Sequence, residues 1–379
     1  MTNISKAFQV LNKCFVCQDR RWRDEAPSQS HVSHEELNKK LTVLAKERSR
    51  ELDEYLLSFS RSSKVVLKIV LLGSPSSGKS TVFKQIDLLY RDSYIRPDHS
   101  HSFREKIYEN VFIIYKKICL AASDLNFSLD IVETIMKDIS EKSFNGNDFV
   151  TNIPMLSSLL QQFWKSTIVQ LTYQHRYSLN LPDSTKYFMD NMNRIGSLDY
   201  EPIWEDILRI REVVNHVRTE VYPFERIKFR VIDVGNQKSL RRKWLHVFDD
   251  ASVIIYVVDL LKCIGSYTST SDIIDTKLTV SQFADIVQNR LLSNSTFLLL
   301  LNKFDMFQDF INTTIVNYEQ PELVEFTFMK IREQFLEAAQ FRKHVYSHSL
   351  VAVEIDDAKK VLNHNFANIL RIKAKAVLV

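Results

Sequence analysis

Glycine is scarce in this sequence, since only six of its 379 residues are glycine. Two of them, Gly73 and Gly78, fall within GSPSSGKST (73–81), which directly follows the apolar run VVLKIVLL. Glycine permits backbone conformations and close approaches that side chains hinder. This placement therefore predicts that the main chain of the stretch comes close to another group.

Cysteine is also scarce, and the chain has only Cys14, Cys17, Cys119 and Cys263. Four cysteines in a chain of this length do not form the disulfide scaffold of a small secreted protein. Cys14 and Cys17 have the spacing of half a zinc site, but no second CxxC follows. We therefore favour free thiols over a metal site at this pair.

Long apolar runs and a strong charge imbalance are missing as well. The first residues, MTNISKAFQVLNK, lack the continuous apolar core of a signal peptide, and no run approaches the roughly 20 apolar residues of a membrane span. Fifty basic and 46 acidic residues give a net charge of +4, so no nucleic-acid partner is indicated. With a hydrophobic content of 45%, these absences predict a globular protein in a reducing, cytosolic setting.

Hydrophobic periodicity predicts the segments of the chain. After a flexible leader (1–33), apolar residues recur at helical spacing among charged ones over residues 34–60, which predicts an amphipathic helix. This helix would either pack on its own domain or dock a partner, and the pattern favours neither. Four apolar runs separated by helical stretches predict an α/β sheet with crossover connections; they are VLKIVLL (66–72), RIKFRVID (226–233), ASVIIYVVD (251–259) and TFLLLLN (296–302).

Between the first two of these strands the pattern is helical throughout. No convincing strand interrupts residues 92–205, so we interpret this stretch as an all-helical domain inserted into the α/β domain. The α/β domain then comprises residues 61–91 and 206–379. A chain of 379 residues is long enough for two domains with separate cores.

The stretch GSPSSGKST fits the pattern G-x-x-x-x-G-K-[ST] at a predicted strand-to-helix junction. Such a loop points successive N–H groups at phosphate oxygens, and the following helix adds its positive N-terminal end. Lys79 is expected to reach the β- and γ-phosphates, and the Ser80 hydroxyl to ligate Mg²⁺. The predicted nucleotide contacts in this loop are Gly73, Ser76, Ser77, Gly78, Lys79, Ser80 and Thr81.

The last predicted strand closes with the pattern N-K-x-D, formed by Asn302, Lys303 and Asp305. The Asp305 carboxylate can accept hydrogen bonds from N1–H and from the exocyclic amine of guanine, whereas adenine offers an acceptor at N1. A carboxylate left without such partners costs about 1–3 kcal/mol, so the motif favours guanine. Asn302 and Lys303 are expected to brace the loops around the base.

A third polar group closes the strand RIKFRVID. Asp233 is expected to hold Mg²⁺ through water opposite Ser80, and Gln237 is expected to orient a water toward the γ-phosphate. Without the other two motifs, the same residues would indicate an ordinary turn at the end of a strand.

Four stretches together resemble the α subunits of heterotrimeric G proteins: GSPSSGKST (73–81), WEDILRIR (204–211), DVGNQKSLRRKW (233–244) and LLNKFDMF (300–307). The resemblance runs from residue 34 to the end. It implies a Ras-like P-loop GTPase domain, with a doubly wound, mostly parallel sheet, and an inserted all-helical domain. It also implies GDP or GTP as the bound nucleotide, Mg²⁺ as the cofactor, and a βγ dimer and a G-protein-coupled receptor as partners. The downstream effector stays unidentified.

The resemblance also assigns residues. Arg211 matches the family's built-in arginine finger, which stabilises charge on the γ-phosphoryl group and is worth about 10³–10⁵ in rate. With Gln237 it forms the implied catalytic pair, whereas without the family match a salt-bridged arginine at a helix end would be equally plausible. Further nucleotide contacts implied by the resemblance are Asp183, Ser184, Leu208, Arg209, Gly235 and Ala352.

Departures from the family pattern predict a weakened switch. Val214 takes the place of a magnesium-binding threonine, and an isopropyl group cannot ligate Mg²⁺. Asn236 replaces a glycine whose N–H meets the γ-phosphate. In the phosphate loop, Pro75 removes a backbone donor, and Ser76 replaces a glutamate that pairs with the arginine finger. We therefore expect altered Mg²⁺ dependence and slowed GTP hydrolysis.

Two other function classes stay open. One is a nucleotide-locked module that binds βγ without efficient GTP turnover. The other is an unrelated P-loop ATPase or kinase, against which Asn302 and Asp305 argue, and GTP-over-ATP selectivity separates it from the first two.

Membrane attachment is a separate expectation. The family's Met-Gly myristoylation signal is missing, since residue 2 is threonine. Cys14 and Cys17 precede a basic cluster and are candidate palmitoylation sites, with two unmodified thiols as the alternative. The expected location is peripheral, at the cytoplasmic face of the plasma membrane, with βγ assisting because one lipid signal anchors only marginally.

Overall fold

The structure is a computed structural model that describes residues 66–91, 97–124, 150–211, 217–225, 227–234, 247–264, 276–315, 321–339 and 344–378. Several predictions concern residues outside this set: the leader with Cys14 and Cys17, the amphipathic helix at 34–60, Val214, and the stretch 235–244. The chain divides into two compact units between Arg211 and Glu212. The helical unit contains the described residues 97–211, and the sheet unit contains the described residues of 66–91 and 217–378.

The sheet unit is built on six strands, numbered in chain order. They are β1 (Val66–Gly73), β2 (Arg218–Phe224), β3 (Ile227–Asp233), β4 (Ala251–Asp259), β5 (Thr296–Asn302) and β6 (Val345–Leu350). The strand order is β2-β3-β1-β4-β5-β6. β2 is antiparallel to β3, and every other neighbouring pair is parallel. This arrangement brings the carboxyl ends of β1, β3, β4 and β5 to the same end of the sheet.

The described helices lie between the strands, follow the last strand, or form the helical unit. They are α1 (Lys79–Tyr90), α2 (Pro97–Asp124), α3 (Ile153–Lys165), α4 (Thr167–Gln174), α5 (Thr185–Asp190), α6 (Met192–Ile195), α7 (Trp204–Arg209), α8 (Lys277–Val287), α9 (Phe304–Phe310), α10 (Pro321–Ala338), α11 (Ile355–Val361) and α12 (Ala367–Leu378). None of these described helices has the length and apolar character needed to cross a bilayer.

Helices cover the sheet on both faces, as a mostly parallel sheet requires. Alternate residues of β1, such as Ile69, join one apolar cluster with side chains of α1, α11 and α12. On the opposite face, Phe283 of α8 contacts Tyr256, Phe297 and Phe335 through edge-on or tilted ring pairs. Replacing a fully buried phenylalanine of this kind by alanine costs about 3–5 kcal/mol, so the two layers fix the strand ends that carry the site.

The four predicted strands correspond to β1, β3, β4 and β5, which confirms the mostly parallel sheet with crossover helices. The sequence pattern missed β2 and β6, which lie at the two edges of the sheet. Edge strands carry fewer apolar residues because they are only partly covered, and both VYSHSL and RTEVYPF lack a continuous apolar run. Pro223 is tolerated in β2 because an edge strand has one side without ladder bonds.

The helical unit has its own core. Ile107, Val111 and Ile118 of α2 are fully buried at helical spacing and join side chains from α3, α5, α6 and α7. Ser166 adopts an extended conformation, with φ −65° and ψ 142°, and so separates α3 from α4. The helices of this unit continue to Arg209 in α7, and the unit ends at Arg211.

Candidate functional site

The turn from β1 into α1 forms a loop that accepts only glycine at two positions. Gly73 has φ +147° and Gly78 has φ +98°. A Cβ on Gly73 would lie 2.1 Å from the carbonyl oxygen of Val257, and a Cβ on Gly78 would lie 2.1 Å from Nδ2 of Asn302. The main chain of the loop therefore packs directly against β4 and β5, which is the close approach that the glycine placement predicts.

Lys79 begins α1, and the loop itself holds its ammonium group. Its Nζ donates to the carbonyl oxygens of Gly73, at 3.0 Å, and Ser74, at 2.8 Å, and the residue is only 6% exposed. Burial lowers the pKa of Lys79 to about 8, while the Asp233 carboxylate acts to raise it and the Lys262 ammonium lowers it further. Neutral carbonyl groups compensate a buried cation only in part, so the loop favours an anion beside Lys79.

The hydroxyl of Ser77 is a second buried polar group in this loop. Ser77 is fully buried, and its Oγ has no hydrogen-bond partner among the described residues. Leaving such a group unsatisfied costs about 1–3 kcal/mol, and orphan polar atoms of this kind commonly mark a place for a further ligand. A desolvated ammonium and an orphan hydroxyl within one loop fit a bound phosphate group.

Asp233 and Ser80 provide oxygen ligands close to this loop. Asp233 ends β3, pairs in register with Leu71 of β1 and is almost fully buried. Ser80 lies half-buried in the first turn of α1. A carboxylate and a hydroxyl are ligands that Mg²⁺ prefers, so the residues fit this ion. Thr81 is the next residue of the same helix and is also half-buried.

Asn302 joins the phosphate loop to the last strand. Its Nδ2 donates to the carbonyl oxygen of Ser77, at 2.7 Å, and its Oδ1 accepts from the N–H of Ala352, at 3.0 Å. The Ala352 carbonyl in turn accepts from Nε2 of Gln85 on α1, at 2.9 Å. All three of Asn302, Ala352 and Gln85 are buried. Asn302 thus connects the two loops, whereas no sequence pattern indicated Gln85.

Lys303 and Asp305 follow directly, at the start of α9. Lys303 has a left-handed backbone with φ 65°, and its Nζ pairs with Oδ2 of Asp259 at 2.6 Å. Oδ1 of Asp259 accepts from the N–H of Leu261, at 3.2 Å, so this carboxylate is well coordinated. Asp305 is exposed in the first turn of α9. Asp259 was not predicted from the sequence, although its place as the acidic residue that ends the apolar run ASVIIYVVD could have indicated it.

The helical unit carries the remaining described site residues, which are organised by Asp206. This carboxylate is fully buried on α7 and accepts five hydrogen bonds, including both terminal nitrogens of Arg194, at 2.9 and 2.7 Å. Burial acts to raise the pKa of Asp206, but the Arg194 hydrogen bonds and those from Ile203, Tyr187 and Tyr200 outweigh it and lower the pKa. The network fixes α7, which carries Leu208 and Arg209 and leads into Arg211.

Arg211 is exposed, and its backbone is anchored to α2. Its N–H donates to Oδ1 of Asn110, at 3.0 Å. Lys117 lies two turns further along the same face of α2, where burial and the Arg211 charge lower its pKa and Asp183 acts to raise it. Arg211, Lys117 and Asp183 therefore lie within electrostatic range of one another.

The other predicted residues of the helical unit lie near the same helices. Ser184 precedes α5 and is half-buried, Leu208 is almost fully buried, and the Arg209 guanidinium stacks on the Tyr187 ring at 4.1 Å. The site residues predicted from sequence thus fall into two groups, one in each unit. Gly235 and Gln237 lie outside the described residues.

A glycine-bounded loop with a buried lysine, between a strand and a helix of a mostly parallel sheet, is the arrangement of P-loop nucleotide-binding proteins. The chain belongs to the G-protein alpha subunit family, whose sequence model matches residues 46–369. The family membership agrees with the resemblance and confirms the Ras-like GTPase fold with an inserted helical domain.

Curated relatives lead to the same family. The guanine nucleotide-binding protein alpha-14 subunit of Caenorhabditis briggsae is 30% identical over 97% of each chain. Its Caenorhabditis elegans counterpart is 29% identical over 93% of this chain and 92% of its own. The alpha-4 subunit of Dictyostelium discoideum is 25% identical over 83% of this chain and 92% of its own.

Proposed function

We propose that this chain is a guanine-nucleotide-binding α subunit that transduces signals from transmembrane receptors through a GDP/GTP switch. The observation that carries the proposal is the pair of hydrogen bonds by which Asn302 joins the Ser77 carbonyl to the Ala352 N–H. These bonds hold a loop suited to phosphates beside the strand end that carries the guanine-selective motif, so one nucleotide can engage both.

Each part of the nucleotide has a proposed set of contacts in the sheet unit. The loop from Gly73 to Thr81 binds the phosphates, with Lys79 as the principal cation. Asp305 accepts from the guanine ring, and Ala352 lines the base. Ser80 and Asp233 hold Mg²⁺, which when bound neutralises charge on the β- and γ-phosphates.

Hydrolysis of GTP is the proposed chemistry. Arg211 stabilises negative charge on the γ-phosphoryl group, and Gln237 orients the attacking water. Asn110 positions Arg211 through its backbone N–H. Within the helical unit, Asp183, Ser184, Leu208 and Arg209 are the further proposed nucleotide contacts. Val214 supplies no ligand to Mg²⁺, and Asn236 adds bulk at the γ-phosphate, so we propose that turnover is slow and needs more Mg²⁺ than is usual for the family.

Nucleotide selectivity is the first test. Titration of the purified protein with GDP, GTP, ADP and ATP should give binding of the guanine nucleotides only. Asp305→Asn should reduce this selectivity, while Asp309→Asn, in the same helix, should leave it unchanged. Equal binding of adenine nucleotides would favour the unrelated P-loop ATPase or kinase instead.

Single-turnover hydrolysis of GTP across a range of Mg²⁺ concentrations tests the slowed switch. We expect slow turnover that rises with Mg²⁺, and a faster, less Mg²⁺-dependent reaction after Val214→Thr with Asn236→Gly. Turnover at ordinary family rates in the unmodified protein would contradict this part of the proposal and leave nucleotide binding untouched.

A nucleotide-locked module that binds βγ is the second candidate, and the phosphate loop favours it. Pro75 lacks a backbone donor, and Ser76 has a positive φ of 61°, which is costly for a residue other than glycine. The two candidates differ in whether the γ-phosphate changes βγ affinity. A βγ dimer that binds equally to the GDP and GTP-analogue forms would identify the locked module.

Membrane association completes the proposal. We propose peripheral attachment at the cytoplasmic face of the plasma membrane through palmitate on Cys14, Cys17 or both, together with βγ. Cys14→Ser with Cys17→Ser should remove hydroxylamine-sensitive palmitate and shift the protein to the soluble fraction of cells. Substitution of the buried Cys119 by serine is the matched control for palmitate and should leave the label unchanged.

A further inference from the structure

Lys262 is a second lysine that contacts the phosphate loop. It lies in the short 3₁₀ turn Leu260–Cys263, directly after β4, and its Nζ donates to the carbonyl oxygen of Pro75. Lys79 takes the two preceding carbonyl oxygens, those of Gly73 and Ser74. Three consecutive carbonyl groups of the loop are therefore held by two ammonium groups, one from inside the motif and one from 187 residues away in the sequence.

The Lys262 contact fixes the orientation of the Pro75–Ser76 peptide, which carries one of the N–H donors of the loop. A trans peptide is planar, and its C=O and N–H point in opposite directions. Holding the Pro75 carbonyl therefore also fixes the direction of the Ser76 N–H. Because Pro75 has no N–H of its own, the peptide between Pro75 and Ser76 carries the next donor along the loop after Ser74. Ser76 has φ 61°, a conformation disfavoured outside glycine, and the Lys262 contact helps to keep this peptide in place.

The positive charges of Lys262 and Lys79 also favour an anionic ligand at this loop. Lys262 lies close enough to Lys79 for its charge to lower the pKa of Lys79. Asp259, the acidic residue next to the turn, is engaged by Lys303 at 2.6 Å. Two ammonium groups thus act on one loop, and their mutual repulsion is relieved most by a polyanion that binds to both.

We propose that Lys262 is a positioning residue for the nucleotide phosphates: through the Pro75 carbonyl it orients the Pro75–Ser76 peptide, and it adds a second positive charge beside the terminal phosphate. The proposal rests on the proposed function, since it requires a nucleotide in this loop. It implies that affinity depends on Lys262 more strongly as the number of phosphates rises.

The experiment compares GMP, GDP and a non-hydrolysable GTP analogue in competition with a fluorescent guanine nucleotide on the full chain. Lys262→Met, which keeps the length of the side chain but removes its charge and donors, should weaken binding of the GTP analogue about tenfold, the expected share of one charge-assisted hydrogen bond, and should weaken binding of GDP by a smaller factor. GMP should change less than twofold. Lys262→Arg should restore most of the loss, and Lys360→Met, at an exposed lysine of α11, should have no effect.

The outcomes separate the inference from the function on which it rests. Equal weakening of GMP, GDP and the GTP analogue would assign Lys262 a merely structural role and overturn the inference. So would a Lys262→Met protein that binds all three nucleotides as the unmodified protein does. If the unmodified protein binds no guanine nucleotide, the proposed function fails and the inference fails with it. Thermal unfolding without nucleotide checks that Lys262→Met folds normally.

Discussion

Replacing Asn302 by alanine should destabilise the sheet unit by about 3 kcal/mol. The side chain is 3% exposed and makes two hydrogen bonds, to the Ser77 carbonyl at 2.7 Å and from the Ala352 N–H at 3.0 Å. Each buried main-chain group left without a partner costs about 1–3 kcal/mol, and partial relaxation of the loop reduces the sum of the two. The substitution removes hydrogen bonds from two loops at once, since the single Asn302 side chain bonds to the main chain of both.

Hydrogen exchange followed by mass spectrometry measures this cost in each unit separately, because protection is read peptide by peptide. Peptides from β1 and β5 should lose about 3 kcal/mol of protection, while peptides from α2 and α3 should stay unchanged. Asn289→Ala is the matched control, since the Asn289 side chain accepts from the nearby Leu291 N–H at 2.9 Å in an exposed cap, a contact worth about 1 kcal/mol.

The gain in hydrogen-exchange protection on GDP binding provides a second measurement on the same variant. Saturation of the unmodified protein at 100 times Kd should add about 2.7 kcal/mol of protection, and Asn302→Ala should receive much less at the same GDP concentration. The reasoning is refuted if Asn302→Ala costs no more than Asn289→Ala, because the bonds between the loops would then contribute nothing beyond an exposed cap.

Four further predictions concern charged and polar groups of the two units. GDP binding should weaken as pH rises from 7 to 9, since the pKa of Lys79 is lowered to about 8 and phosphate attracts only the protonated form; calorimetry at several pH values checks this, and Lys79→Arg should flatten the profile. The same burial should make the free protein more stable as pH rises from about 8 toward the ordinary value of 10.5, because the unfolded chain then holds more protons. Asp259→Asn should lower the free energy of unfolding measured in urea by about 3 kcal/mol, because it leaves the partly buried Lys303 ammonium without its carboxylate partner. Asp259→Leu combined with Lys303→Met should restore most of this stability. Asn110→Ala should slow single-turnover hydrolysis about tenfold by freeing the Arg211 backbone while GDP affinity stays within a factor of two, and Asn110→Asp, which keeps the acceptor, should retain more of the rate than Asn110→Ala.

The parts of the site that lie in continuous motifs could be predicted from the sequence. Gly73, Gly78 and Lys79 occupy fixed places in one loop, and Asn302 follows a strand whose seven residues are all buried. A local pattern is sufficient here because the chemistry is carried by neighbouring residues.

Contacts between distant segments could not be predicted. Gln85 meets the Ala352 carbonyl across 267 residues, and Lys262 meets the Pro75 carbonyl across 187. Each of these side chains looks like an ordinary polar residue in its own segment. Their roles arise only when β4 and β6 come to the same end of the sheet as the loop, so no local spacing could reveal them.

Asp206 illustrates the same limit in the helical unit. An aspartate in the first turn of a helix normally indicates a solvated residue that interacts favourably with the helix dipole. Here the carboxylate is fully buried and shared among Arg194, Tyr187 and Tyr200. Its partners come from three other segments, and their convergence depends on tertiary packing.

The 2.1 Å separation between a Cβ at position 78 and the Asn302 amide also constrains how this chain can evolve. Any side chain at position 78 displaces the amide, and any larger group at position 302 meets the backbone of the loop. Single substitutions at either position are therefore harmful by themselves, and a viable change has to alter both sites together.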